Sequence, residues 1–176
     1  MHSVTDLHDR TDVGELRRVF GCFPSGIAAV CALGEDGRPN GMAVSSFTSV
    51  SMDPPLVSVC VQHTSTTWPG LSKAARLGVS VLAEGQDGAA KALAARGIDR
   101  FADLSWTETP EGAVVLHGAA AWLDCEIEAE YPAGDHVLVL LRVRGLVGEP
   151  DHPPLVFHAS RFRGLSVEPG ELSQQS

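Results

Sequence analysis

The sequence predicts a mainly β domain: a closed or half-closed antiparallel barrel with a few short flanking helices. Residues 121–131 alternate, with Ala121, Leu123, Cys125, Ile127, Ala129 and Tyr131 on one side and Asp124, Glu126, Glu128 and Glu130 on the other. That is the period of a strand with one wet face. Two strand-like segments flank the turn-rich GEDGRPNG of residues 34–41, the pattern of a β-hairpin. About six strand-length runs stand against few and short helical patterns, which disfavours a doubly wound sheet.

Taken in order, Asp12-Val-Gly-Glu15 has the form of a capping box, and Val13, Leu16, Val19 and Phe20 share one helical face. Gly21 and Pro24 stop that helix. Residues 27–33 and the segment after Gly41 form the hairpin, and residues 56–61 a further strand. Thr66-Thr67-Trp68-Pro69 opens a helix, because hydroxyls cap and proline is tolerated in a first turn. Lys73 and Arg76 would then lie one to two turns into it, and Trp68 would pack beneath it. Residues 77–83 read as strand and the Ala-rich 86–96 as helix ending at Gly97. After the turn Pro132-Ala-Gly-Asp135, residues 137–147 pair with the alternating strand, and Leu155-Val-Phe157 makes a last short one. Residues 1–11 and 166–176 are polar and unpatterned, so a single domain over 12–165 with flexible termini is expected.

With 176 residues, 44% of them hydrophobic, the chain can bury a sizeable core. No run approaches the about 20 apolar residues of a membrane span. The amino terminus lacks a basic patch followed by an apolar stretch, so no signal peptide is expected and the expected compartment is the cytoplasm. A net charge of −9 argues against a general nucleic-acid or anionic-membrane binder. Cys22, Cys31, Cys60 and Cys125 show no CxxC spacing and read as reduced thiols. The Ala-, Gly- and Arg-rich style suggests a GC-rich bacterial source. There is no Gly-x-Gly-x-x-Gly after a strand, no Walker loop and no Gly-x-Ser-x-Gly elbow. The seven histidines form neither HxH nor HExxH, so no zinc centre is expected.

The distinctive chemistry is hydroxylic. SSFTSVSMDPPLVSVCV, residues 45–61, sits in a stretch from Pro39 to Ser72 that has no Lys or Arg. A second cluster, Thr64-Ser65-Thr66-Thr67, follows at the expected helix start. Hydroxyls on half-exposed strands and caps can be purely structural. They can equally hold a phosphate through Ser/Thr donors and free amides at a helix start, with small side chains at 43–46 letting a flat ring lie against backbone. Lys73 and Arg76 are the nearest cations to such a site.

Residues 16–30, 41–57, Ser65-Thr-Thr-Trp68, Asp99-Arg-Phe-Ala102, Gly134-Asp-His136 and Pro154-Leu-Val-Phe-His158 resemble, in order and in spacing, the flavin reductase-like family. The resemblance implies an antiparallel split β-barrel with a few short helices, working as a homodimer. It implies an NAD(P)H:flavin oxidoreductase that reduces FMN or FAD with NADH or NADPH and supplies a partner monooxygenase. By position, Asn40, Gly41, Met42, Ala43, Val44, Ser45 and Ser46 match the segment along the isoalloxazine and ribityl chain. Ser58, Val59 and Cys60 match the neighbouring strand, and Ser65, Thr66 and Thr67 the phosphate site. His136 matches the histidine of the loop where nicotinamide approaches, the catalytic residue that would position it, and Phe162 lies in the segment at the lip.

Four residues at three sites depart from the family pattern. Ala43 stands where Thr is frequent, Ala92-Leu93 where Arg-Phe is frequent, and Phe162 where Tyr is frequent. Lys91 or Arg96 is left to replace the missing cation. A flavin- or haem-binding split barrel without reductase activity is the alternative that these losses support. An oxidase of the pyridoxamine-phosphate type would need a cationic phosphate cluster that the sequence lacks.

Overall fold

Residues 27–33 carry no hydrophilic face because both faces of their strand are covered. Ala28, Val30 and Ala32 enter one apolar cluster, with Val59, Val79, Cys125, Val139 and Leu141. Ile27, Ala29 and Cys31 enter another, with Leu82, Leu93, Val114, Leu116 and Leu155. A strand buried on both sides reads as a continuous apolar run rather than an alternating one.

The computed structural model describes residues 12–165, so the termini expected to be flexible, 1–11 and 166–176, lie outside the described residues. The first half of the chain forms α1 (Val13–Phe20), β1 (Ser25–Gly26), β2 (Ala28–Leu33), β3 (Pro39–Val44), β4 (Thr48–Met52), β5 (Pro55–Gln62) and α2 (Trp68–Leu71). The second half forms β6 (Leu77–Val81), α3 (Asp87–Ala94), β7 (Trp106–Glu108), β8 (Val114–Leu116), β9 (Ala121–Ala133), β10 (His136–Gly148), β11 (Val156–His158) and β12 (Arg161–Arg163).

Seven strands make one antiparallel sheet in the order β3-β2-β6-β9-β10-β5-β4. A three-stranded sheet, β1-β11-β12, and the hairpin β7-β8 complete the β structure. The mainly antiparallel architecture with few helices is as expected, but the large sheet is not closed into a barrel. Its edges are β3 and β4, and one strand in from the β4 edge β5 comes alongside β3 at residue 60, where the Ser46 hydroxyl meets the Cys60 backbone. The hairpin of β2 and β3 pairs Ala28 with Val44 through Leu33 with Pro39.

The wet face of β9 is a row of pairs rather than bare carboxylates. Glu128 takes Arg142 at 2.6 Å, Glu126 takes Arg144, Asp124 takes Arg76 at 3.2 Å, and Glu130 accepts the Trp68 indole N–H at 3.1 Å. The arginine hydrogen bonds hold the Glu126 and Glu128 carboxyls below the usual carboxylate range.

Two helix expectations change. Asp12 caps α1 through Gly14 and Glu15 N–H, both at 3.2 Å, yet no residue of α1 is buried, and its apolar positions Val13, Val19 and Phe20 face outward. The helix expected to run from Thr66 past Lys73 is a single turn that ends at Leu71, where Gly70 and Ser72 disfavour continuation. Lys73 and Arg76 therefore lie beyond it, paired with Glu35 at 3.8 Å and with Asp124.

Strand β6 lies against β8, and its Gly78 permits the approach: an added Cβ would fall inside contact distance of the Val114 carbonyl. Gly78→Ala should therefore destabilise the protein by about 3 kcal/mol, read from urea denaturation, because backbone rather than a flexible side chain must give way.

Candidate active site

The free margins of β3 and β5 meet at a cleft of about 320 Å³. One wall is the end of β3 and the link beyond it: Met42, Ala43, Val44, Ser45 and Ser46. Cys60 and Gln62 line it from β5, and Ser65, Thr66 and Thr67 from the following loop. His136 enters from the first residue of β10, opposite Gln62 in register, and Leu93, Ala94, Arg96 and Arg100 close the cleft from α3 and its sequel.

Ser46 works as a backbone surrogate. Its hydroxyl donates to the Cys60 carbonyl at 3.1 Å and accepts the Cys60 N–H at 2.8 Å. One lone pair is left for anything in the cleft. Ser65 accepts Thr67 N–H at 3.4 Å and Trp68 N–H at 3.2 Å. Two amides expected to be free at that helix start are thus engaged by a side chain. What remains there, among the described residues, are the Thr66 N–H, the Ser65 hydroxyl proton and the Thr66 and Thr67 hydroxyls.

Two cations line the cleft, Arg96 and Arg100, and the one bonded into its wall is Arg100, to which the sequence reading gave no role. Its Nε donates to the Ala95 carbonyl at 2.7 Å, and one terminal nitrogen donates to Gly41 carbonyl at 2.9 Å and to Thr67 Oγ1 at 2.6 Å. The other terminal nitrogen has no protein partner among the described residues. Arg100 lies in a turn without periodicity, where Asp99 caps the Phe101 N–H at 3.0 Å. The available signal was the Asp99–Ala102 block itself. Neither Lys73 nor Arg76 lines the cleft. Of the two proposed substitutes Arg96 does, whereas Lys91 is held by Asp87 at 2.6 Å and sits 5.6 Å above the Phe162 ring.

His136 Nδ1 lies 2.7 Å from Asp135 Oδ1. A carboxylate only accepts, so Nδ1 carries the proton and Nε2 is the ring's remaining polar atom. The same bond holds the Asp135 carboxyl below its ordinary range.

Not every expected residue reaches the cleft. Asn40 lines an adjoining cavity, and its amide contacts the Thr67 carbonyl at 3.5 Å. Gly41 is buried, where a Cβ would meet Cys31 Sγ at 2.5 Å and Phe101 at 2.9 Å, so it contributes its carbonyl only. Val59 is fully buried, because alternation aims it with Val57 and Val61 into the core, and Ser58 is buried opposite Thr48. Phe162 forms, with Phe157 and Ile27, an apolar recess that shares Ala43, Val44, Ser45 and Ala94 with the cleft.

The flavin reductase like domain family matches residues 20–166. The chain belongs to the flavin reductase-like family. It is 38% identical over 151 residues to a flavin reductase of Pseudomonas putida, covering 86% of this chain and 89% of that one. It is 34% identical over 157 residues to the flavin-dependent monooxygenase reductase subunit HsaB of Rhodococcus jostii, covering 89% and 80%. The solved NADH:FAD oxidoreductase SgcE6 of Streptomyces globisporus, in complex with NAD and FAD fragments, superposes with a TM-score of 0.85 at 38% identity, covering 94% of this chain and 99% of that one. The open seam of this flavin reductase-like fold is thus the place to look for its chemistry.

Ser46→Ala would leave the Cys60 N–H and carbonyl without their shared partner. It should cost about 1–3 kcal/mol in chemical denaturation, whereas Ser45→Ala, at an exposed hydroxyl, should leave the midpoint in place.

Proposed function

We propose that the protein is an NADH-dependent flavin reductase that reduces FAD and releases the reduced flavin to a separate monooxygenase. The observation that carries the reading is the Arg100–Thr67 node: a cation with an unengaged N–H pair beside a wall of small residues at 43–46. Such a set fits a flat polar ring joined to a phosphate chain. The named relatives support the reductase over a binding module without turnover, being a flavin reductase, a monooxygenase reductase subunit and an NADH:FAD oxidoreductase.

Ala43, Val44, Ser45 and Ser46 would lie along the ring and ribityl chain, and Cys60 beside them. Ser65, Thr66, Thr67 and Arg100 would hold the phosphates. Arg100 accomplishes this as a fixed donor, since its other bonds tie the α3 sequel and β3 together. Bound flavin supplies a two-electron acceptor, and the nicotinamide supplies the hydride. That transfer asks the protein for orientation rather than for a proton donor. His136, held by Asp135, would position the nicotinamide through Nε2, and the Phe157–Phe162 pair, with ring centres 5.3 Å apart, would form the lip. FMN shares the ring, ribityl chain and first phosphate and would use the same groups.

Residues 12–165 would make up the single folded domain. A homodimer is supported by the apolar groups left outside: Phe20 is 69% exposed, Phe23 80%, Met52 89% and Leu146 73%. All four cysteines are free, in keeping with the cytoplasm as the compartment. No helix among the described residues is long and apolar enough to cross a membrane.

Purified protein mixed with NADH and FAD should oxidise NADH in a flavin-dependent manner, followed at the nicotinamide absorbance band. No oxidation above the uncatalysed rate with FAD or FMN would overturn the reading. Arg100→Ala should raise the flavin dissociation constant roughly tenfold or more, the loss of a charge-assisted bond. His136→Ala should raise the KM for NADH several-fold and leave flavin affinity in place.

A further inference from the structure

Three carboxylates of the β9 row pair with arginines, but Glu130 has no ion pair among the described residues. Its aim is set by the backbone. Leu141 stands opposite Ile127 and Leu140 opposite Ala129, so Glu128 is an extra residue, a β-bulge. A bulge re-aims the side chains beyond it, and Glu130 comes to stand opposite Val139, which is fully buried. From there its carboxylate accepts the Trp68 indole N–H at 3.1 Å. Trp68 is the first residue of α2 and only 8% exposed, its ring set in the core with Val59, Val61 and Val139. The backbone N–H of the same residue goes to Ser65 Oγ, which also takes the Thr67 N–H, and Thr67 Oγ1 receives Arg100. A helix of one turn cannot hold such a loop by its own hydrogen bonds. The indole is therefore the peg of the loop: the core fixes its depth, and the carboxylate fixes its rotation.

We propose that Glu130 is a positioning residue for flavin reduction: through the Trp68 indole it holds the Ser65–Thr67 hydroxyls in register with Arg100, so that they converge on the flavin phosphate. The inference rests on the flavin-reductase reading of the cleft. Glu130 touches neither flavin nor nicotinamide in this account and does not line the cleft. A bond that merely satisfied a buried donor would not need a charge. The Trp122 indole N–H, for comparison, ends on the Leu116 backbone carbonyl. The Trp68 bond is charge-assisted, and such bonds are the stronger and more closely oriented kind. Glu130 is itself exposed, so its charge is held without the cost of full desolvation. Rotation of an unrestrained indole would carry the Trp68 backbone N–H away from Ser65 and loosen the Thr67 N–H with it. The consequence would fall on ligands that reach the loop with a phosphate, and spare those that do not.

The test compares the wild type with Glu130→Ala, Glu130→Gln, Trp68→Phe and the Glu130→Ala/Trp68→Phe double variant. Dissociation constants of FMN and FAD are read from flavin fluorescence, and kcat/KM for NADH oxidation is read with FMN and with riboflavin, which has no phosphate, as acceptor. Glu130→Ala should raise both dissociation constants roughly fivefold and lower kcat/KM for FMN to match, with riboflavin within about twofold of the wild type. Glu130→Gln keeps an acceptor oxygen and should restore most of the loss. Trp68→Phe keeps a ring in the core and loses the N–H, so it should match Glu130→Ala, and the double variant should be no worse than either single one. Glu130 is exposed, so its variants report even if Trp68→Phe folds poorly. Unchanged FMN and FAD affinity in Glu130→Ala, or an equal loss with riboflavin, overturns the positioning role and leaves the reductase reading in place. An equal loss in Glu130→Gln, or additive losses in the double variant, overturns it as well, because the bond to Trp68 would not be the cause. Failure of the wild type to bind either flavin overturns both readings together.

Discussion

Among the described residues, the outer margin of β3 and the end of β5 beyond β4 have no strand to pair with, and the site is built from the way their backbone groups are satisfied. The outer side of β3 is an edge, and β5 runs on past the end of β4, so residue 60 faces open space. Backbone N–H and carbonyl groups left unpaired in such a place are costly. Here the Cys60 pair is met by one serine hydroxyl and the Gly41 carbonyl by one guanidinium. Side chains thus do what a ladder does elsewhere, and they hold the margins apart at the width of a cleft. A fully paired barrel would have no seam for a ligand to enter.

The same constraint explains the composition around the seam. A small residue at 43 and hydroxyls at 45 and 46 keep the wall low, while Gly41 lets β3 pass close over Cys31 and Phe101. The nearest positive charge must then arrive from elsewhere in the chain. Arg100 does so from the turn after α3, and binds β3, the loop before α2 and its own turn in one motion of hydrogen bonds. The β9 carboxylates Asp124, Glu126 and Glu128 are neutralised away from this place by Arg76, Arg142 and Arg144. The cleft lining itself carries Arg96 and Arg100 and no carboxylate, whereas the whole chain has a net charge of −9.

Elements whose side chains alternate against one solvent face were legible in the sequence. The strand at 121–131, the hairpin around residues 34–41 and the strand after Pro54-Pro55 all carried the period or the turn residues that form them. The β7–β8 hairpin did not, because Trp106, Thr107 and Glu108 show no alternation that separates strand from loop, and its partner is only three residues long. The helix after Thr67 was read too long, since hydroxyl and proline signals mark where a helix begins but Gly70 and Ser72 decide where it ends. At the site, composition marked 43–46 and 64–67 as unusual, and the family resemblance added Met42 and the ligand roles. Arg100 was not, because a residue that acts through bonds to positions 59 and 33 residues away leaves no local pattern. Ser46 was found for its hydroxyl but not for its partner, which only the curvature of the sheet brings near.

A guanidinium has five N–H donors, and Arg100 directs three of its own to Ala95, Gly41 and Thr67. This division decides what kind of binder the cleft can be. A cation with every donor free would be mobile and would lose much side-chain entropy on meeting a phosphate. One anchored by three bonds is oriented before the ligand arrives, so its remaining pair is presented at little further cost. The anchoring also limits the number of bonds it can give a ligand, which leaves Arg96 and the Ser65, Thr66 and Thr67 hydroxyls as the other donors lining the cleft. Such a donor set would suit a phosphate chain without enclosing it in charge. A flavin that has to leave in reduced form, and reach another protein, needs a site that orients it firmly during hydride transfer and holds it with only a few bonds afterwards.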